Sequence, residues 1–346
     1  MNVRIPPAIR GRPVIGISDG AFSGSRVTSV VIPDSVNFIG NGAFANSQLA
    51  SITMSNGVAS IGSQAFGWCH LTEVTIPDSV TSIGNSAFEG NQLTKATIGR
   101  RVGTIGFQSF RNNKLTEVTI PDSVTSIGSQ SFEGNQLARL TIGNRVDSIG
   151  NSAFANNRLA RVAIPDSVTS IGSQAFAENH LASLTIGNGV SSIGSNAFAG
   201  NQLTNLTIPN RVISIGDGAF ARNRISDLTI GSGVRTIVGS RVSGAFEGNH
   251  LTSINIPGGV TSIGERAFAS NPITSIAIPD SVASLHENVF FNSFGNLSRI
   301  SIGSNVTLQG SGDSVWRGFS SFYVYGGSKA GTYIQNSSGN WSVQAR

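Results

Sequence analysis

The chain is poor in the residues on which most chemistry depends. Of its 346 residues one is cysteine and four are histidine, and charged residues make up only 12%. A single cysteine excludes a disulfide framework within one chain. There is no P-loop, no GxSxG and no HExxH, so the phosphate-cradling, nucleophilic and zinc-hydrolase signatures are all missing, and neither an enzyme nor a resident cofactor is expected. No run approaches the roughly 18 apolar residues of a membrane helix. Met1 is followed by NVRIPPAIRGRPV, without the basic and apolar regions of a signal peptide. The chain therefore reads as soluble, with no membrane span.

What the chain has in place of these is repetition. Phe22, Phe44, Phe66, Phe88, Phe110, Phe132, Phe154, Phe176, Phe198 and Phe220 follow one another at intervals of 22; Phe246 comes after 26, and Phe268 and Phe290 return to 22. Thirteen phenylalanines on one period mark a solenoid, because each repeat can bury its apolar face only against its neighbours. Glycine is abundant, at 42 residues, and hydrophobic residues reach 39% with clear periodicity. That combination argues for tight turns and against disorder.

The stretch LTEVTIPDSVTSIGSQSFEGNQ, residues 115–136, serves as the type repeat. Leu115, Val118 and Ile120 alternate with Thr116, Glu117 and Thr119, which predicts a strand with its apolar side inward. Pro121, Asp122 and Ser123 make a turn. Val124 to Ile127 form a second short extended piece, and Ser129 to Phe132 are expected to form one helical turn that places Phe132 in the core. The motif IPDSV at 32, 76, 120 and 164 alternates with MSNGV, IGRRV, IGNRV and IGNGV, so the unit of the middle region is 44 residues; duplication in pairs accounts for that doubling.

The pattern LxxVxIPxSVxxIGxxAFxxN resembles the BspA-like, Treponema-type leucine-rich repeat family over about residues 5 to 306. The resemblance implies a right-handed superhelix of about 13 turns, mostly β, with two short strands and a helical turn per repeat. It also implies a bacterial surface or secreted protein engaged in adhesion, a localisation this chain would reach without a visible signal peptide. Residues 1–309 form the expected solenoid and residues 310–346 an aromatic-rich C-terminal segment containing Trp316, Phe319, Phe322, Tyr323, Tyr325, Tyr333 and Trp341. Two readings of that segment stand: a cap over the last apolar layer, and a small binding module. Residues 5–14 read as a first turn whose preceding strand is missing.

Stacking turns the repeat into columns of residues 22 apart. Three residues after each Phe stand Asn135, Asn157 and Asn179 and their equivalents, whose amides can satisfy buried backbone groups of stacked turns. Cys69 falls in the same column and reads as a buried substitute for Asn. His70, His180 and His250 share another column, but His70 and His180 lie roughly 24 Å apart, so they cannot gather around a metal whose ligands stand about 2 Å away. The Asp of IPDSV recurs on alternate turns, too sparsely for calcium, and reads as turn chemistry.

Two residues after the strand Leu, the outward column reads Glu73, Lys95, Glu117, Arg139, Arg161 in its middle. Its signs alternate until Arg139 and Arg161, which fall on adjacent turns, where like charges oppose one another. The column is either a solvated ladder of ion pairs or a patch that accepts anions. Residues 95–161 hold nine Lys/Arg against four acids, and the whole net charge of +5 resides there. This is too sparse, and too poor in interleaved aromatics, for a nucleic-acid groove. Lys95, Glu117, Arg139 and Arg161 are thus the candidate binding residues for a protein or an acidic glycan, while Phe132, Phe154, Phe176, Asn135, Asn157 and Asn179 are the structural set. The alternative is a structural repeat protein that associates with itself, as a homodimer, through a terminal turn.

Overall fold

The computed structural model describes residues 1–293, 297–309, 329–336, 338 and 340–344. The chain divides into two compact units, residues 1–181 and 182–346. Each is built from the same coil of two short strands per repeat, mostly β, and the Phe column counts about 13 turns across them. The only helix among the described residues is a single 3-10 turn, Glu287–Phe290.

In the first unit a short strand recurs at Ser60–Ile61, Ser82–Ile83, Thr104–Ile105, Ser126–Ile127 and Ser148–Ile149, paired in parallel and in register at intervals of 22. The longer strands form the opposite wall. Leu115, Val118 and Ile120 are buried while Thr116, Glu117 and Thr119 are exposed, as the alternation of apolar and polar side chains requires.

Between the walls run the phenylalanines. From Phe44 to Phe176 every ring of the column is fully buried. Phe132 and Phe154 are nearly parallel with centroids 5.4 Å apart, and Phe154 and Phe176 stand 5.3 Å apart. That is an offset stack, which adds to the large apolar area each ring removes from water. The second unit repeats it, from 5.3 Å between Phe198 and Phe220 to 6.1 Å between Phe268 and Phe290.

The helical turn expected at Ser129–Phe132 does not form. Gln130 sits at φ 57° and Gly134 at φ 67°, in the left-handed region that a right-handed helix cannot include. Alternate N–H groups of this segment go to the next turn, Gln130 to Asn151 O at 2.7 Å and Phe132 to Ala153 O at 2.8 Å. The backbone thus makes a third inter-turn ladder where the sequence suggested a helix.

The 44-residue rhythm has a packing cause beyond duplication. A Cβ on Gly99 would stand 2.3 Å from Pro77 O, and one on Gly143 would stand 2.6 Å from Pro121 O. At that separation glycine is the residue that fits over the proline turn, as at Gly99 and Gly143, although Ser55 follows Pro33 and Pro279 follows Pro257 in the same column. The longer strands are correspondingly bonded in twos, Glu73–Thr75 with Lys95–Thr97 and Glu117–Thr119 with Arg139–Thr141.

The N-terminal turn is not without its strand. Asn2–Arg4 pairs in parallel with Ser29–Val31, and Ala8–Ile9 folds back on Arg12–Pro13 as a hairpin. In the second unit, Gly331–Gln335 runs antiparallel to Arg299–Ile302 and is followed by Trp341–Val343, also antiparallel. Trp316, Phe319, Phe322, Tyr323 and Tyr325 lie outside the described residues.

Candidate functional site

The parallel ladders carry each residue of one turn over its equivalent in the next, so side chains that leave the wall form straight columns. Lys95 stands beside Glu73 and Glu117 beside Arg139 in strand register. Arg139 donates through Nη2 to Glu117 Oε2 at 2.6 Å and through Nε at 3.1 Å. The pair is open to water, so it adds only about 0–1 kcal/mol. It consumes the charge of Arg139 within the protein. Arg161 is exposed and makes no ion pair among the described residues.

Lys95, Glu117 and Arg139 border a groove of about 920 Å³. Its floor is the next outward column, Thr97, Thr119 and Thr141. One side is formed by Lys95, Glu117 and Arg139, and the other by Arg100, Asp122 and Asn144 in the Pro/Gly turns. Three of the four candidate binding residues therefore share one groove. Arg161 does not line it and sits on the adjoining turn.

The far side owes its shape to the IPDSV aspartates. Asp122 Oδ1 accepts from the N–H of Asn144, one turn on, at 2.8 Å, and Asp78 Oδ1 accepts from Arg100 N–H at 2.7 Å. These carboxylates hold stacked turns together, which is why they recur without forming a metal site. Among the described residues no group of three or more His, Cys, Asp or Glu could hold an ion.

Below the groove the Asn column fixes the turns. Asn135 donates to Phe110 O of the preceding turn at 2.9 Å and to Phe132 O of its own at 3.1 Å, and accepts from Leu115 N–H at 3.0 Å. Asn157 repeats the set with Phe132 O, Phe154 O and Leu137 N–H. Asn179 does so with Phe154 O, Phe176 O and Leu159 N–H. Cys69 takes the same place with less: its thiol donates to Phe44 O at 3.1 Å. Burial pushes that thiol above its ordinary pKa, against smaller lowering effects from hydrogen bonds to Ser47, so it is a poor nucleophile.

Reading the sequence missed two cations. Lys114 and Arg158 are exposed and stand one residue before the strand Leu, in the column that holds His70 and His180. The signal was legible there, since that column reads His70, Gln92, Lys114, Gln136, Arg158, His180. Lys114 reaches only Gln92 Oε1, at 3.4 Å.

Comparison with known proteins agrees with this geometry. The model of the BspA type leucine rich repeat region matches in six copies, over residues 15–139, 125–242 and 239–322. A leucine-rich repeat protein from Bacteroides ovatus is 25% identical, with 89% of this chain and 82% of that one covered and a TM-score of 0.61. The pneumococcal vaccine antigen PcpA is 22% identical, with 91% and 80% covered and a TM-score of 0.54, a likeness of fold. A leucine rich cell surface protein from Faecalibacterium prausnitzii is 26% identical over 90% of this chain and 88% of that one, with a TM-score of 0.46. No curated protein matches the chain.

Proposed function

Because the chain belongs to the BspA-type leucine-rich repeat family, we propose that it is a non-enzymatic binding scaffold, an adhesin-like protein of a bacterial surface, whose ligand lies on the strand face of the middle turns. The observation that carries this reading is the groove over Thr97, Thr119 and Thr141, bordered by Lys95, Arg100 and Arg139. It is the place where exposed charge, an open concavity and a rigid wall coincide. The wall comes from the fold, and the charge does not: folding asks only for small or polar side chains in the outward columns, where Ser29 and Ser51 serve elsewhere. Family membership supports the adhesion and surface localisation in this reading. A cap formed by residues 310–346 is part of the same reading, supported by the antiparallel return of Gly331–Gln335 onto Arg299–Ile302.

The test fills the groove without altering the core. Purified chain is bound to a surface coated with extracellular matrix, beside the variant Thr97→Tyr, Thr119→Tyr, Thr141→Tyr. These sites are exposed, so the variant folds. Loss of most of the binding supports the reading; equal binding by both proteins contradicts it.

Self-association through a terminal turn is the second reading. Asn2–Arg4 is the outermost strand of its sheet, and an open strand edge invites pairing. Its exposed Arg4 works against such pairing, as charge on an edge strand does. Light scattering that shows a concentration-dependent dimer, abolished by changes in residues 1–14, would favour this reading over the first.

A further inference from the structure

The charges of the middle turns narrow the chemistry of the ligand. Arg111 is held by Glu133 at 2.9 Å and Glu89 at 3.6 Å, and Arg139 by Glu117. Lys95, Arg100, Lys114, Arg145, Arg158 and Arg161 are all exposed, and none makes an ion pair among the described residues. Two acids remain in this stretch, each already engaged: Asp122 Oδ1 accepts from Asn144 N–H, and Asp147 Oδ1 from the Thr169 hydroxyl at 3.0 Å. Internal pairing thus engages two cations and two acids of residues 95–161, with Glu89 from outside the stretch, and leaves the cations in excess.

Lys95 and Arg100 border the Thr floor on its two sides, and Lys114, Arg145, Arg158 and Arg161 stand around it, the last two on the adjoining turn. Lys95, Lys114, Arg158 and Arg161 lie toward the start of the longer strands, Arg100 and Arg145 in the turns at their end. A ligand following the floor crosses one turn every ~4.8 Å and passes between cations along its length. The guanidinium fork of Arg suits planar or tetrahedral oxyanions.

The groove lining contains no aromatic side chain. That removes the stacking platform a nucleobase uses and the aromatic anchor typical of a protein hot spot. An extended peptide cannot add as a strand either, because Glu117–Thr119 is bonded to Arg139–Thr141 and lies against Lys95–Thr97 on its other side, and strand addition needs a free edge. We propose that this trough binds a linear anionic polysaccharide, sulfated or carboxylated, laid along the stack. The assignment rests on the strand-face reading and gives its ligand a class.

The test measures affinity of the full chain for three probes: heparin as a sulfated glycan, dextran as a neutral one, and poly-glutamate as an acidic peptide. Each is titrated at low and at physiological salt, with wild type, with Arg158→Ser/Arg161→Ser, and with Arg211→Ser as a control on an exposed cation of the second unit. Heparin should bind and weaken steeply with salt. The double variant should bind it about tenfold less tightly with an unchanged melting temperature, Arg211→Ser should match wild type, and dextran should not bind. Poly-glutamate binding tighter than heparin overturns the glycan assignment and leaves the trough as a binding site. Heparin binding unaffected by the double change overturns the location. If neither anionic probe binds, the assignment to an anionic ligand falls, and the strand-face reading then stands or falls with the matrix experiment.

Discussion

At the scale of single residues, the Phe and Asn columns set the interior. Phe154 is completely buried between Phe132 and Phe176, and a stacked neighbour cannot collapse into its place without breaking the register above and below. Phe154→Ala should cost about 3–5 kcal/mol, read as a lower melting temperature; an unchanged one would contradict the column. Two serines point the other way. Ser109 and Ser131 are fully buried with hydroxyls that have no partner among the described residues, in a column filled elsewhere by Ala87 and Ala153. Ser109→Ala and Ser131→Ala should each stabilise the protein, by up to about 1–3 kcal/mol, measured by denaturant unfolding. The phenylalanines were legible from their period alone. The left-handed residues were legible only in part: Gly20, Gly42 and Gly218 mark their column, but Gln130 and most of its equivalents put another residue at a position that φ 57° favours for glycine.

At the scale of the repeat, the deciding contact is between a proline turn and the glycine turn that follows. The sequence displays the alternation plainly, yet not the proline carbonyl that lies against Gly99 and Gly143, a distance no pattern of letters encodes. Gly143→Ala should cost about 1–3 kcal/mol, since the added methyl meets the rigid backbone of Pro121; full stability of this variant would mean the turns are not so tightly stacked. The irregular repeat of the second unit is the converse case. Val238 keeps its bond to Ile215 O, Ala245 closes onto Val238 O, and Gly239 bridges Gly244 around an exposed tip. The extra four residues are therefore accommodated outside the stack. Deleting Val238 to Arg241 leaves Val242, Ser243 and Gly244 to follow Ile237 at the regular spacing, and the shortened protein should remain soluble with a cooperative melt. Loss of soluble protein would show the tip to be structural.

At the scale of the molecule, turns couple only to their neighbours, so function can be local while stability is shared. The candidate site illustrates how far a sequence carries. Lys95, Glu117, Arg139 and Arg161 were found from one column, together with the ion-pair ladder to which Glu117 and Arg139 belong, but the placement of Lys114 and Arg158 depends on which columns share a face. The measurement that bears most directly on this account is ligand binding after removal of whole 44-residue units from the first unit of the chain. Removing two such units, residues 93–180, joins Gln92 to Leu181 and preserves the Pro-to-Gly order of turns while eliminating Lys95, Arg100, Lys114, Arg145, Arg158 and Arg161. Removing residues 49–92 joins Gln48 to Leu93 and spares all of them. Both shortened proteins should fold, and heparin affinity should collapse in the first and persist in the second. Equal affinity in the two would contradict a binding site on the middle turns.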